Sequence, residues 1–178
     1  DQPLFGVNQP PALTSEAQRN QQATEVRDFV QSILAINPNA NVVVAGDLND
    51  FEFSNPLSIL EAGGLNTLIE TLPQNERYTY NFEGNAQTLD HILVSNNLFN
   101  NLNGFDAVHI NSEFADQDSD HDPVVARFDL INVINGTSGK DNLVGTSFGD
   151  RITGFEGKDD ITTGAGNDLI VYTSLYGN

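Results

Sequence analysis

Apolar residues recur at helical spacing near the start of the chain, after a polar loop over residues 1–14. Six of them are spaced for one helix face: Ala23, Val26, Phe29, Val30, Ile33 and Leu34. Ser15, followed three residues later by Gln18, forms a capping-box pattern at the start of this segment. The pattern therefore predicts a helix over residues 15–36.

Strand-like runs follow this helix. Residues 41–46 contain Val42-Val43-Val44 without polar alternation, which predicts a strand buried on both faces. Asn55-Pro56 begins a short helix that Gly63-Gly64 ends. Further strands are predicted over residues 78–82, 89–95, 105–110 and 124–130. A helix, a strand, a second helix and then several strands are typical of a mixed α/β layer architecture.

The composition changes near residue 131, where the chain becomes rich in Gly, Asp, Asn and Thr. From Gly136, four blocks of nine residues follow one another: GTSGKDNLV, GTSFGDRIT, GFEGKDDIT and TGAGNDLIV. Their sixth positions are Asp141, Asp150, Asp159 and Asp168, and their eighth positions are Leu143, Ile152, Ile161 and Ile170. A fixed period of this kind indicates a stacked repeat architecture.

The period resembles the RTX nonapeptide repeat of the calcium-binding parallel β-roll. The resemblance implies that each Gly-rich turn offers backbone carbonyls and the Asp carboxylate to Ca²⁺, while the aliphatic side chain stacks inside the roll. Calcium would also act as a folding ligand, because the rows of Asp otherwise repel one another. Phe148 and Thr163 stand where the repeat prefers glycine, so their turns are expected to be weaker calcium sites. A flexible Gly/Asp-rich linker is the alternative.

Three polar motifs lie at the ends of apolar runs in the earlier part of the chain. They are Gly46-Asp47-Leu48-Asn49, Asp90 at the start of a predicted strand, and Ser119-Asp120-His121-Asp122-Pro123. Carboxylates, an amide and an imidazole at strand ends are groups that hold a divalent metal and a phosphate. Each motif alone could equally be a turn or a polar loop.

Together and in this order, the motifs resemble those of the endonuclease/exonuclease/phosphatase superfamily, metal-dependent phosphoesterases that include DNase I-like nucleases. The resemblance implies that Asp47 positions the attacking water close to the metal and that Asn49 binds the phosphate. It places Asp120 at the metal and His121 on the phosphate, with Asp90 hydrogen-bonded to that histidine. The implied metal is Mg²⁺ or Mn²⁺, bound by Asp47 and Asp120.

The superfamily fold is a four-layer α/β sandwich, with two sheets inside and helices outside. Residues 1–130 are expected to form only its C-terminal half, and residues 131–178 the RTX β-roll. The metal-binding Glu of the family would then lie in a missing N-terminal half. We expect the 178 residues alone to be inactive without that half.

Four further polar residues are interpreted as structural. His91 follows Asp90 in a strand, so its side chain faces the other side of the sheet. His109 lies in an apolar run and has no motif around it. Arg19 lies in the long helix and is expected to pack or form a salt bridge. Asp122 is expected on the solvent side of its turn.

Composition narrows the function further. Seven Lys+Arg against 25 Asp+Glu give a net charge of -18, which excludes nucleic-acid binding by a basic surface and requires a bound cation at any phosphate site. The absence of cysteine excludes disulfides, thiolate metal sites and cysteine nucleophiles. The sequence contains no transmembrane stretch, no phosphate-binding P-loop motif and no Gly-x-Ser-x-Gly motif.

The favoured function is that of a secreted bacterial nuclease acting on DNA or RNA, with an RTX segment of the kind associated with type I secretion. This nuclease preference comes from the resemblance. Two alternatives remain open: a phosphatase or phospholipid phosphodiesterase of the same superfamily, and a noncatalytic calcium-dependent surface or adhesion module.

Overall fold

The computed structural model describes residue 7 and residues 13–172, so the predicted loop over residues 1–14 lies almost wholly outside the described residues. The chain divides into two compact units, Asp1–Phe128 and Asp129–Asn178. Within the described residues, no helix combines the length and the apolar character that a bilayer span requires.

The described residues of the first unit form a mixed α/β structure. Its α-helices are α1 (Glu16–Ile36), α2 (Asn55–Glu61) and α3 (Asn96–Asn100). Its strands are β1 (Val43–Asp47), β2 (Leu65–Thr67), β3 (Tyr80–Phe82), β4 (Asn85–Gln87), β5 (Asp90–Ser95), β6 (Leu102–Ala107) and β7 (Val124–Phe128). Two short 3₁₀ helices follow β2, at Leu68–Thr71 and Gln74–Glu76.

The helix predicted over residues 15–36 is confirmed as α1, but the predicted capping box is wrong. Ser15 has helical backbone angles, and no side-chain hydrogen bond caps the helix. Its hydroxyl instead accepts a hydrogen bond from the Arg19 guanidinium. Ala23 and Val30 are buried as the spacing predicts, whereas Phe29 is exposed.

The principal sheet has the strand order β1-β5-β2, and both neighbours run antiparallel to β5. Leu93 of β5 packs on one face with residues of α1 and α2, and Val94 packs on the other face with residues of β6 and β7. Because β5 is covered on both faces, it forms the centre of the unit and fixes the position of its polar first residue, Asp90.

Strand β1 is confirmed, but its predicted burial on both faces is wrong. Val44 packs into the helix-side core, whereas Val43 is 51% exposed. Strand β1 lies at one end of the described sheet and pairs with β5 on one side. Val43 pairs with Val94 and so projects from the face that β6 and β7 cover over β5, and its exposure shows that this layer does not extend over Val43.

The later strand predictions are confirmed with shifted ends. The predicted strands over residues 78–82, 89–95, 105–110 and 124–130 correspond to β3, β5, β6 and β7. The sequence patterns missed β2, β4 and α3, which contain three to five residues each. Segments this short are held by their neighbours, and they are too short to display a hydrophobic period.

The described residues of the second unit contain parallel strands that repeat every 18 residues. They are β8 (Asn132–Asn135), β9 (Asn142–Val144), β10 (Asp150–Thr153), β11 (Asp160–Thr162) and β12 (Leu169–Val171). One sheet has the order β8-β10-β12 and the other pairs β9 with β11. Ile134, Ile152 and Ile170 align in the first sheet, and Leu143 aligns with Ile161 in the second. Leu143 and Ile152 are buried.

Phe155 occupies the second position of its nonapeptide with a left-handed backbone, φ 64°. This conformation is costly for a bulky residue, so Phe155→Gly is expected to stabilise the second unit by about 1 kcal/mol. Denaturant unfolding at constant calcium, monitored by the amide exchange of β10 and β11, measures the change in stability. Phe148→Gly is the matched control, because Phe148 is also exposed on a turn but does not have a positive φ. Equal effects of the two substitutions would contradict the prediction.

Candidate active site

Asp47 and Asp90 are neighbours across two strands. They form the last pair in the antiparallel register of β1 and β5. Directly paired residues project from the same face of a sheet, so both carboxylates lie on one face. His91, which pairs with Gly46, projects its side chain from the other face. The sheet thus brings together carboxylates that are 43 residues apart in sequence.

The Gly46-Asp47-Leu48-Asn49 motif forms the turn that leaves β1. Gly46 has φ 155° and Asn49 has φ 51°, both in the left-handed range. The backbone N–H of Asn49 donates to Asp47 Oδ1 at 2.9 Å. The Leu48 N–H donates to the Leu89 carbonyl at 2.9 Å, which ties this turn to the residue before Asp90. Asp47 and Asn49 therefore shape the turn, and both remain exposed.

His121 meets Asp90 across the site. Its Nδ1 lies 2.6 Å from Asp90 Oδ2, with the two side chains 25% and 20% exposed. The Tyr80 ring lies against the imidazole, with ring centroids 4.8 Å apart. Asp120, the residue before His121, is exposed. The structure thus pairs His121 with Asp90, beside the position of Asp47.

The surrounding carboxylates raise the pKa of His121 above its ordinary value of 6.5. Partial burial alone would lower this pKa, but the hydrogen bond to Asp90 and the charges of Asp90, Asp47 and Asp120 outweigh it. The imidazole therefore favours its protonated form, which suits contact with a phosphate. Since the folded pKa is raised, the pair stabilises the fold below pH 6.5, and this stabilisation is lost as the pH rises through the folded value.

Asp90→Asn is expected to lower the pKa of His121, because it removes the hydrogen-bonded charge that favours the imidazolium. An NMR titration of the imidazole resonances measures this change directly. Asp106→Asn is the control, since Asp106 is an exposed carboxylate of the same unit that does not contribute to the His121 shift. An unchanged His121 titration in Asp90→Asn would rule out the pairing.

Asp122 is buried, so the prediction that it lies on the solvent side of its turn is wrong. It is 2% exposed. Burial alone would raise the pKa of its carboxyl, but hydrogen bonds from Ser112, Asn111 and His109 lower it to about 2. His121 and Asp122 precede β7 and point to different partners: His121 reaches Asp90, and Asp122 lies over a loop whose backbone N–H groups need acceptors.

Asp50 is a site-supporting residue that the sequence reasoning missed. Its carboxylate forms an ion pair with Arg19 at 2.7 Å, which confirms the structural prediction for Arg19. His91 Nε2 lies 2.7 Å from the Asp50 carbonyl, and burial lowers the pKa of His91. A neutral His91 therefore donates to Asp50 and holds the turn after β1. The sequence signal that could have indicated Asp50 is its position directly after Asn49.

His109 is structural, as predicted. Its ring stacks on Tyr78 with centroids 3.9 Å apart, and its Nδ1 lies 3.1 Å from Asp122 Oδ2. It faces Asp122, whereas His121 faces Asp90. The two histidines therefore belong to separate pairs.

Asp47 and Asp120 are the carboxylates that could hold a divalent metal beside His121. Among the described residues, no three His, Asp or Glu side chains are close enough to hold a metal by themselves. Mg²⁺ commonly takes one or two carboxylates and completes its coordination with water and substrate phosphates. The exposed Asp47 and Asp120 fit that mode of binding.

The Gly-rich turns of the second unit bring aspartates together in pairs separated by 18 residues. The Asp141 N–H donates to Asp159 Oδ1 and the Asp150 N–H donates to Asp168 Oδ1, both at 3.0 Å. A Cβ added to Gly145 would lie 1.9 Å from the Thr163 carbonyl oxygen, so backbone oxygens face this turn closely. Carboxylate and carbonyl oxygens are the ligands that Ca²⁺ prefers, so these turns fit calcium.

A comparison of the sequence with protein-family models gives one match in each part of the chain. The model of the endonuclease/exonuclease/phosphatase family matches residues 10–120, and the RTX calcium-binding nonapeptide repeat, in four copies, matches residues 135–170. No curated protein and no solved structure matches the chain. RTX repeats bind calcium and are typical of secreted proteins. Since the first match covers more than half of the 178 residues, the chain belongs to the endonuclease/exonuclease/phosphatase family, whose membership indicates phosphoester hydrolysis.

Proposed function

We propose that the protein is a metal-dependent phosphodiesterase, specifically an extracellular nuclease acting on DNA or RNA. The observation that carries the proposal is the 2.6 Å contact between His121 and Asp90 on the sheet face that also presents Asp47. A protonated imidazole held by one carboxylate, beside further carboxylates available for a cation, is a phosphate-binding arrangement.

Each residue has a distinct role in this proposal. Asp47 orients the attacking water, and Asn49 and His121 contact the phosphate. Asp90 keeps His121 protonated and correctly oriented. Asp47 and Asp120 would bind Mg²⁺ or Mn²⁺, which when bound stabilises the charge on the phosphoryl and leaving oxygens.

The two units have separate roles in the same proposal. Residues 1–130 correspond to the C-terminal half of the family's four-layer α/β sandwich, and the N-terminal half would contribute the family's metal-binding Glu. The second unit binds calcium as a β-roll, with Asp141, Asp150, Asp159 and Asp168 as ligands. Such a roll folds only when calcium binds. Because calcium is plentiful outside the cell, this requirement supports type I secretion and an extracellular location.

Hydrolysis of a substrate panel by the full-length protein tests the proposal. The panel contains supercoiled plasmid DNA, an RNA oligonucleotide, p-nitrophenyl phosphate and phosphatidylcholine vesicles, each with Mg²⁺ or with EDTA. We expect Mg²⁺-dependent nucleic-acid cleavage that His121→Ala lowers by about 10²–10³-fold and that Asp106→Ala retains.

The other outcomes contradict specific parts of the proposal. Cleavage of p-nitrophenyl phosphate or of lipid without nucleic-acid cleavage would replace the nuclease by a phosphatase or phospholipid phosphodiesterase. Absence of all hydrolysis, together with calcium-dependent surface binding, would favour the adhesion module.

A further inference from the structure

The Asp122 carboxylate fixes one loop of the first unit. The carboxylate is buried, and its partners come from four consecutive residues, 109–112. Oδ1 accepts from the backbone N–H groups of Ile110, Asn111 and Ser112 at 3.1, 2.8 and 3.0 Å. Oδ2 accepts from the Ser112 hydroxyl at 2.5 Å and lies 3.1 Å from His109 Nδ1. Hydrogen bonds to a carboxylate are stronger than those to a neutral acceptor, so this loop is firmly held.

The same loop holds the backbone of His121. Asn111 Nδ2 donates to the His121 carbonyl at 2.9 Å. On the other side, the Asp122 N–H donates to the Thr79 carbonyl at 2.7 Å, and Thr79 Oγ1 accepts from the Asp90 N–H at 3.1 Å. His121 is thus fixed between a loop that depends on Asp122 and a residue that also holds Asp90.

We propose that Asp122 is a positioning residue of the phosphodiesterase site: it fixes residues 109–112, and Asn111 then holds His121 where its imidazole reaches Asp90. The catalytic consequence rests on the proposed function, whereas the positioning itself does not. Asparagine has one acceptor oxygen where aspartate has two, so Asp122→Asn cannot satisfy all the donors that surround the carboxylate.

The experiment uses two variants and one control in the full-length protein. Asp122→Asn weakens the loop, and Asn111→Ala removes the contact to His121 without altering Asp122. Ser95→Ala is the control, because the buried Ser95 hydroxyl donates to the Ala40 carbonyl at 2.7 Å and accepts from the Val42 N–H at 3.1 Å. It therefore removes comparable buried hydrogen bonds that do not involve His121.

Two readouts follow His121. The first is the downfield proton resonance of His121 Nδ1–H bound to Asp90, which we expect to broaden or vanish in both variants and to persist in Ser95→Ala. The second is the rate of Mg²⁺-dependent DNA cleavage. We expect kcat to fall about tenfold with KM changed by less than about twofold, since misplacement of a catalytic group affects the transition state most.

A wild-type His121 resonance in both variants, with the fold retained in amide spectra, would overturn the proposal. If Asp122→Asn does not fold, Asn111→Ala decides alone. Failure of the proposed function can be distinguished from failure of this proposal. Unchanged hydrolysis by His121→Ala would contradict the proposed function, whereas the resonance test of positioning needs no turnover.

Discussion

His121→Ala is expected to lower kcat for phosphodiester cleavage by about 10²–10³-fold, the loss typical of removing one transition-state donor. The imidazolium would interact with charge that grows on the phosphoryl oxygens as the reaction proceeds, so its removal affects the transition state more than substrate binding. KM is therefore expected to change little. Initial rates of the full-length protein on a short oligonucleotide with Mg²⁺ measure both constants.

His121→Gln provides the matched control for this prediction. Glutamine retains a neutral hydrogen-bond donor but not the positive charge that Asp90 supports, so an intermediate rate is expected. Amide spectra establish that both variants remain folded. A kcat for His121→Ala within about threefold of the wild type would remove His121 from the site, since loss of a donor costs far more.

Calcium removal is expected to unfold the second unit and leave the first folded. The rows of aspartate at residues 141, 150, 159 and 168 repel one another without a cation. At a free concentration 100 times Kd, each bound calcium would stabilise the folded state by about 2.7 kcal/mol. Amide exchange of β8–β12 with Ca²⁺ and with EGTA measures the effect, with α1 and β5 as the internal reference.

Asp159→Ala and Asp160→Ala separate calcium binding from general acidity. Asp159 accepts the Asp141 N–H inside the stacked turns, whereas Asp160 is exposed and forms an ion pair with Lys140 at 3.1 Å. Asp159→Ala is expected to lower both the calcium stoichiometry and the Tm of the unit. Asp160→Ala is expected to change neither. Similar behaviour of the two variants would contradict the assignment of the sixth repeat position to calcium.

The helix α1, the principal strands and the nine-residue repeat were predictable because each carries a period that local geometry imposes. A helix buries residues three and four apart, and an RTX coil places one aliphatic residue per nonapeptide inside. Such patterns depend on the chain's own spacing. The exposure of Val43 does not follow from sequence spacing, because it depends on which layer of the fold covers β1.

The candidate site was predictable as a set of motifs, while its supporting residues were not. Asp47, Asp90 and His121 stand out only together, because their motifs follow one another in the order found in the family. Asp122 and Asp50 resemble ordinary turn residues in sequence. Their importance comes from donors supplied by distant segments, residues 109–112 and Arg19, and such pairings follow from tertiary structure.

The most direct test of the proposed metal–phosphate site is Mn²⁺-induced broadening in NMR spectra of the calcium-saturated protein with inorganic phosphate. Saturating calcium keeps Mn²⁺ from the turns of the second unit. Broadening is predicted to centre on Asp47, Asp120 and the His121 imidazole, and to disappear in Asp47→Asn combined with Asp120→Asn. Broadening that avoids these residues, or that persists unchanged in the double variant, would contradict the site.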